Sequence, residues 1–166
     1  MNQGNRKWNI VKTMSTTVIE QSKKAMPHNI QEFNAIAGAI LAKVYESHPS
    51  PRTIAVDDVA TALGRKPDEQ MPSGKQFIEM FAHTLHWLAT NDFINDFAAV
   101  TPHRCTLTAR GLATLNEVPS SLNGATRGSE IADAARAGGF EKLADIAGGF
   151  MGSFAGSFTK TMSGPG

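Results

Sequence analysis

The chain has a single cysteine and no long apolar run among its 166 residues. The lone Cys105 excludes an internal disulfide framework and is typical of a reducing compartment, so we expect a cytoplasmic protein. A run of about 18 apolar residues, which an ordinary membrane-spanning helix needs, is missing. Residues 1–21 also lack the apolar core of a secretory signal, and we expect none there.

A large excess of charge of one sign is missing too, since the net charge is +1. That balance excludes a strong overall attraction to nucleic acid or acidic lipid. The charge is unevenly distributed, because residues 1–28 carry a net +4 and residues 29–118 a net −3. We interpret residues 1–28 as a weakly ordered basic arm for nucleic acid or an anionic membrane surface, a solvated tail being the simpler alternative.

The common catalytic motifs are missing as well, including the nucleophile elbow, the phosphate loop, the dinucleotide fingerprint and the zinc-protease motif. Asp57 and Asp58 are adjacent and would point about 100° apart on a helix, so they fit a cap and a first-turn dipole partner. We therefore expect a non-catalytic protein without a cofactor. His83, His86, His103 and Cys105 lack a strong zinc-binding spacing, and we predict no metal site.

Apolar residues make up 41% of the chain, which is enough for one core. A capping box of Asn29 and Glu32 predicts the start of the first helix, which ends before Pro49. Residues 53–56 read as a short strand, and Asp57 as the cap of a second helix. A second capping box, Ser73 with Gln76, predicts a third helix over residues 74–90. Its apolar stripe is formed by Phe77, Ile78, Phe81, Leu85 and Leu88.

Residues 93–97 and 104–108 alternate between apolar and polar side chains, which predicts two paired strands. This alternation places Cys105 and Leu107 on one buried face of the sheet. Thr108 is the predicted cap of a further helix, which carries Leu112 and Leu115 and stops at Pro119.

The order helix, strand, helix, helix, hairpin, helix resembles the winged helix-turn-helix family over residues 29–119. The segments TLHWLATNDFI and CTLTARGLATL carry the resemblance. It implies a mainly α fold with a small β-hairpin (α+β), here with an N-terminal arm over residues 1–28 and a C-terminal tail over 120–166. It also implies DNA contact through the third helix and the wing at residues 97–103. The DNA-binding candidates are Lys75, Gln76, His83, Arg104 and Lys66.

A second interpretation starts from Met80 and Trp87, which a helical wheel puts on the face of the third helix away from its apolar stripe. Aromatic and methionine side chains with little charge are typical of protein interfaces. The simpler alternative is that Trp87 packs under the N-terminal arm or the last helix.

The tail contains ten of the fifteen glycines. Residues 120–128 read as a linker, residues 129–137 as a short helix, and residues from Phe140 onward as a second helix that is stable only where another surface covers it. Its uncharged part is about 21 Å long, shorter than the ~30 Å of a bilayer core. One stripe holds Ala144, Gly148, Gly152 and Gly156, and the opposite side includes Phe150, Phe154 and Phe158.

Two functions follow as hypotheses. The first is a regulator-like winged-helix protein that contacts DNA and self-associates through its termini as a homo-oligomer. The second is an acidic winged-helix adaptor or effector component whose glycine- and phenylalanine-rich tail engages a protein partner, a second copy or a membrane. In that case Met80, Trp87 and the two tail stripes are the partner-binding residues.

Overall fold

The computed structural model describes residues 26–97, 102–118 and 124–161, with side chains as far as Met151. These ranges form six helices and a three-stranded antiparallel sheet, a mainly helical α+β fold. No helix in them is both long and apolar enough to cross a membrane. The elements, in chain order, are α1 (His28–Ser47), β1 (Arg52–Ile54), α2 (Val56–Ala62), α3 (Phe77–Thr90), β2 (Ile94–Asp96), β3 (His103–Leu107), α4 (Ala109–Asn116), α5 (Arg127–Ala137) and α6 (Phe140–Thr161).

Helix α1 runs through the centre of the molecule and is buried on most sides. It contacts α3 and the sheet as well as the two C-terminal helices, α5 and α6. Its middle is therefore lined with small and aliphatic residues, including Ala35, Ile36, Ala39 and Ile40, all fully buried. One continuous core joins α1 to the sheet and to α6, because fully buried side chains of all three belong to the same cluster.

The sheet has the order β1-β3-β2, with both pairs antiparallel. Thr53 lies opposite Arg104, and Ile94 lies opposite Leu107. The predicted pairing of residues 93–97 with 104–108 is confirmed, as is the buried position of Cys105 and Leu107 on one face. Residues 98–101, within the predicted wing, lie outside the described residues.

Both predicted capping boxes are wrong. Helix α1 begins at His28 after Pro27 without a side-chain cap, and α3 begins at Phe77 after Gln76, again without one. Glu32 points into the molecule, where its carboxylate accepts hydrogen bonds from the backbone N–H of Ser73 (2.8 Å) and from its hydroxyl. Glu32 of the first predicted box and Ser73 of the second therefore bond each other, and this contact joins α1 to the loop before α3.

The wheel of α3 is corrected at two positions. Ile78, predicted to lie inward, is 47% exposed, while Met80, predicted on the outer face, is only 7% exposed. The buried face of α3 holds Phe77, Met80, Phe81, Thr84, Leu85 and Leu88, which are spaced three and four residues apart. Ile78 lies about 100° from Phe77 on the helix and falls outside this stripe.

The predicted Thr108 cap is confirmed. The Thr108 hydroxyl accepts a hydrogen bond from the Gly111 N–H at 2.9 Å and donates to the carbonyl of Asp92 at 2.5 Å. A Cβ atom on Gly111 would lie 2.1 Å from the carbonyl oxygen of Phe93, so only glycine fits this approach. The threonine and the glycine together fasten the start of α4 to the turn after α3.

The predicted helices of the tail are observed as α5 and α6. Helix α5 begins after Thr126, whose side chain accepts a hydrogen bond from Ser129 N–H, and ends at Gly138 in the left-handed conformation (φ 71°). From Leu143 to Met151 the covering surface of α6 is α1, and both predicted stripes contribute to it, since Ala144 and Phe150 are buried together. The side chains predicted at 154 and 158, and the positions of Gly152 and Gly156 in the stripe, lie beyond those described.

Candidate binding groove

An open groove of about 750 Å³ lies between α1, α3 and the middle of α6. We call it the α1–α3–α6 groove. Its walls are mainly apolar, and its polar groups are amides, one lysine and one histidine. The lining residues are Met26, Asn29, Ile30, Phe33, Asn34, Lys75, Met80, His83, Trp87, Gly148 and Met151.

Trp87 forms the α3 wall of this groove and is 37% exposed. Its ring meets Phe33 edge-on, with centroids 5.0 Å apart, and stacks on Phe93 with centroids 5.7 Å apart. Packing under the last helix was one expectation for Trp87, but its aromatic neighbours come from α1 and from the turn after α3. These contacts hold the indole in place while leaving one part of it open to a ligand.

The floor of the groove contains two methionines, Met80 and Met151, both buried. Methionine side chains are flexible and polarisable, so they adapt to ligands of different shape. Met80 therefore lines the predicted interface, but as a buried side chain and not as an exposed one.

Asn34, Met26 and Gly148 come together where α1 and α6 line the groove. The side-chain amide of Asn34 donates a hydrogen bond to the sulfur of Met26 at 3.4 Å. A Cβ atom on Gly148 would lie 2.7 Å from the Nδ2 atom of Asn34 and 3.6 Å from the Cε atom of Met26. At Gly148 the predicted stripe of small residues thus leaves room for the side chain of Asn34.

Lys75 and His83, which line the groove, both lie close to the Glu79 carboxylate. The Lys75 ammonium lies 2.5 Å from the Glu79 carboxylate, and the His83 imidazole lies 3.7 Å from the same group. The hydrogen bond from Lys75 lowers the pKa of Glu79 below its ordinary value, so the carboxylate is charged at neutral pH. All three side chains are about half exposed or more, and the pairs add little to stability.

Of the five predicted DNA-binding residues, Lys75 and His83 are among the described lining residues of the groove. Gln76 is exposed just before α3, and Arg104 is exposed on β3. Lys66 lies in the loop after α2, where its backbone N–H donates to the Glu69 carboxylate. Each lysine thus stands beside a glutamate, which weakens the attraction to phosphate.

The histidines and the cysteine that were weighed as zinc ligands are divided between surface and core. His83 and His86 are exposed on α3, while His103 is bonded to Asp96 at 2.6 Å and Cys105 is fully buried. Burial, with Asp96 nearby, raises the pKa of the Cys105 thiol to about 12, so it is neither a thiolate nucleophile nor a ready ligand. Within the described ranges no three His, Cys, Asp or Glu residues are placed to hold a metal ion.

A smaller cavity of about 550 Å³ between α1 and α5 is lined by charged residues that already have partners. Arg136 lies 2.8 Å from Glu46 and 2.6 Å from Asp133. These pairs satisfy the polar groups of the cavity and give no sign of a ligand site.

Sequence reasoning found Met80, Trp87 and Gly148 but not the α1 residues that face them across the groove. A helical wheel of α1 puts Phe33 and Ile30 on one apolar face with Ile40 and Val44, but Ile30 is 43% exposed. The sign of the groove is a large apolar side chain left exposed near the start of α1. A helical wheel shows which residues share a face, but not which of them stay exposed. Comparison with known proteins finds no matching family model, no matching curated protein and no matching solved structure.

Proposed function

We propose that this protein is a non-catalytic binding protein of the winged-helix type whose α1–α3–α6 groove binds a short apolar segment of a protein. The observation that carries the proposal is the half-open Trp87, held by Phe33 and Phe93 above a floor of methionines. Rigid aromatic side chains in desolvated pockets supply much of the binding energy in protein interfaces.

The winged-helix part of the proposal is supported by connectivity. Three helices and a strand precede a hairpin, and the first strand pairs with the last to give the order β1-β3-β2. This connectivity supports a winged-helix fold, which the sequence pattern of residues 29–119 resembles. Because a shared fold does not fix a function, the proposal takes its function from the groove.

A protein segment fits the groove better than a charged ligand does. The volume of about 750 Å³ lies within the range of small binding sites. The groove runs between helices and offers isoleucine, phenylalanine, tryptophan and methionine, which suits a helix or extended segment with two or three apolar anchors. Lys75, which lines the groove, is already paired with Glu79.

Selection of random peptides displayed on phage against the full chain tests this proposal. We expect enriched peptides that carry an aromatic residue beside aliphatic ones, with micromolar affinity. The Ile30→Gln variant should lose this binding, because Ile30 lines the groove. Ile78→Gln is the matched control, since Ile78 is equally exposed in the first turn of α3 but is not a lining residue.

Failure to enrich any peptide, or peptides whose binding survives Ile30→Gln unchanged, would contradict the proposal. Binding lost equally in Ile30→Gln and Ile78→Gln would contradict it too, because the site would then be the outer face of α3.

DNA binding is a second candidate, favoured by the exposed Arg104 on the central strand β3. Its partner in the register is Thr53 of β1, which is also exposed, so this face of the sheet is open to solvent. If this face meets phosphates, affinity for mixed-sequence duplex DNA should fall steeply with salt, and Arg104→Ala should weaken it further. Binding that is absent, or independent of salt, would rule this function out.

Membrane contact by the tail has a weaker basis. Leu143, Ala147 and Phe150 of its apolar face are already buried in the core. Co-sedimentation of the full chain with anionic liposomes is the direct test, with Phe97→Ala as a control that leaves the tail untouched.

A further inference from the structure

The α1–α3–α6 groove lies where the N-terminal arm joins the described part of the chain. Met26, the first described residue, is itself a lining residue. Its sulfur accepts a hydrogen bond from Asn34, and its methyl group lies beside Gly148. Residues 1–25 therefore join the described part of the chain at the groove itself.

The arm contains one short segment with the chemistry of a groove ligand. Trp8, Ile10 and Val11 lie close together in the sequence, and Arg6, Lys7 and Lys12 flank them. The residues between Lys12 and Met26 span up to about 45 Å when extended, ample to return along a groove that starts at Met26. The opposite net charges of residues 1–28 and 29–118 favour the approach.

We propose that Trp8–Val11 of the same chain occupies the α1–α3–α6 groove and competes there with a partner segment. The competition rests on the proposed function, whereas the occupancy itself does not. A tethered segment has an effective concentration in the millimolar range. Even a weak apolar contact is then populated, and an external peptide must displace it.

Occupation by the same chain is favoured over occupation by a second copy because the tether begins inside the groove. A second copy would have to bring its own arm across an opening whose edge already carries Met26. The two cases differ in their dependence on concentration, since only binding within one chain is unchanged on dilution.

A photo-crosslinking experiment tests the proposal in the full chain. Benzoylphenylalanine replaces Ile30 in one protein and Ile78 in the other, and cross-linked peptides are mapped by mass spectrometry. We expect adducts with residues 6–12 from position 30 and none from position 78. The adduct should migrate as a single chain, with a yield that does not change on dilution. Adducts absent at position 30, equal at both positions, or joining two chains would overturn the proposal.

The fluorescence of Trp8 gives an independent measurement. The chain has two tryptophans, so subtracting the emission of Trp8→Phe from that of the unaltered chain gives the emission of Trp8 while Trp87 stays in the groove. We expect blue-shifted emission that is protected from acrylamide, and loss of both properties on adding Ile30→Gln but not Ile78→Gln. Emission equal to that of the urea-unfolded chain, or unaffected by Ile30→Gln, would overturn the proposal.

Peptide selection on Trp8→Ser separates the two ideas. Stronger peptide binding to Trp8→Ser than to the unaltered chain supports both the groove and the competition. Equal binding overturns the competition and leaves the groove standing. A protected Trp8 with no peptide binding to either protein overturns the proposed function alone.

Discussion

The carboxylate of Glu32 on α1 accepts a hydrogen bond from the backbone N–H of Ser73, 2.8 Å away in the loop before α3. The Ser73 hydroxyl donates to the other carboxylate oxygen. Glu32 is buried, so these donors replace the hydrogen bonds that water would otherwise give its side chain. The contact fixes the loop from which Lys75 and α3 enter the groove.

Replacing Glu32 by alanine should lower the free energy of unfolding by about 1–3 kcal/mol, because it leaves the Ser73 N–H without its acceptor. Urea denaturation followed by circular dichroism measures the change. Glu46→Ala is the control on the same helix, since the exposed ion pair of Glu46 with Arg136 contributes only about 0–1 kcal/mol. Equal losses of unfolding free energy in the two variants would show that the contact with Ser73 stabilises the fold no more than an exposed ion pair does.

Gly111→Ala should destabilise the protein by about 3 kcal/mol or more, because the added Cβ would overlap the backbone of Phe93 and displace α4.

Gly149→Ala should do the opposite and raise the free energy of unfolding by up to about 1 kcal/mol. Gly149 lies within α6 with nothing near its would-be Cβ, so alanine there improves helix propensity without a clash. Thermal unfolding compares both variants. A melting temperature unchanged by Gly111→Ala would contradict the close approach to Phe93.

Stability should fall as the pH rises from about 9 to 12. Burial raises the pKa of the Cys105 thiol from 9.0 to about 12, so in this range the unfolded chain loses a proton that the folded chain keeps. The stabilisation is complete below pH 9 and is lost as the pH approaches 12. Urea unfolding of Cys105→Ala over the same range isolates this effect. A slope as steep in Cys105→Ala as in the unaltered chain would assign it to other groups.

Phe150→Ala should destabilise the whole fold by about 3–5 kcal/mol, since Phe150 is buried in the core shared with α1. Unfolding should remain a single transition. Phe97→Ala is the matched control, because Phe97 is exposed and its loss should cost no more than about 0.5 kcal/mol. Separate melting of α6 at lower urea would show that the tail only adheres to the rest of the protein.

Local chemistry was predictable from the sequence where short-range contacts decide it. Thr108 caps α4 through Gly111, three residues away, and the alternation around Cys105 depends only on the strand period. The caps assigned to Asn29 and Ser73 failed because Glu32 and Ser73, 41 residues apart, bond each other instead. A local pattern contains no information about such a partner.

The candidate site was predictable only in part for a similar reason. Trp87 was recognised as an unusual aromatic residue on a polar face, but its neighbours Phe33 and Gly148 come from helices far away in sequence. Met80 and Ile78 exchanged places because the true buried stripe of α3 is centred between Phe77 and Phe81. A helical wheel identifies the buried face of a helix only when the direction of the core is known. For α3 that direction is set by the position of α1.

The central position of α1 has a consequence for how the protein is made. Leu143, Ala147 and Phe150 cover a helix that ends at Ser47, so a ribosome must add about a hundred residues before α1 is enclosed. At typical rates of synthesis this takes roughly 5–20 s, during which the apolar surface of α1 is open to chaperones and to other nascent chains. A stalled or shortened translation product would therefore be recognised by its first helix rather than by its missing last one.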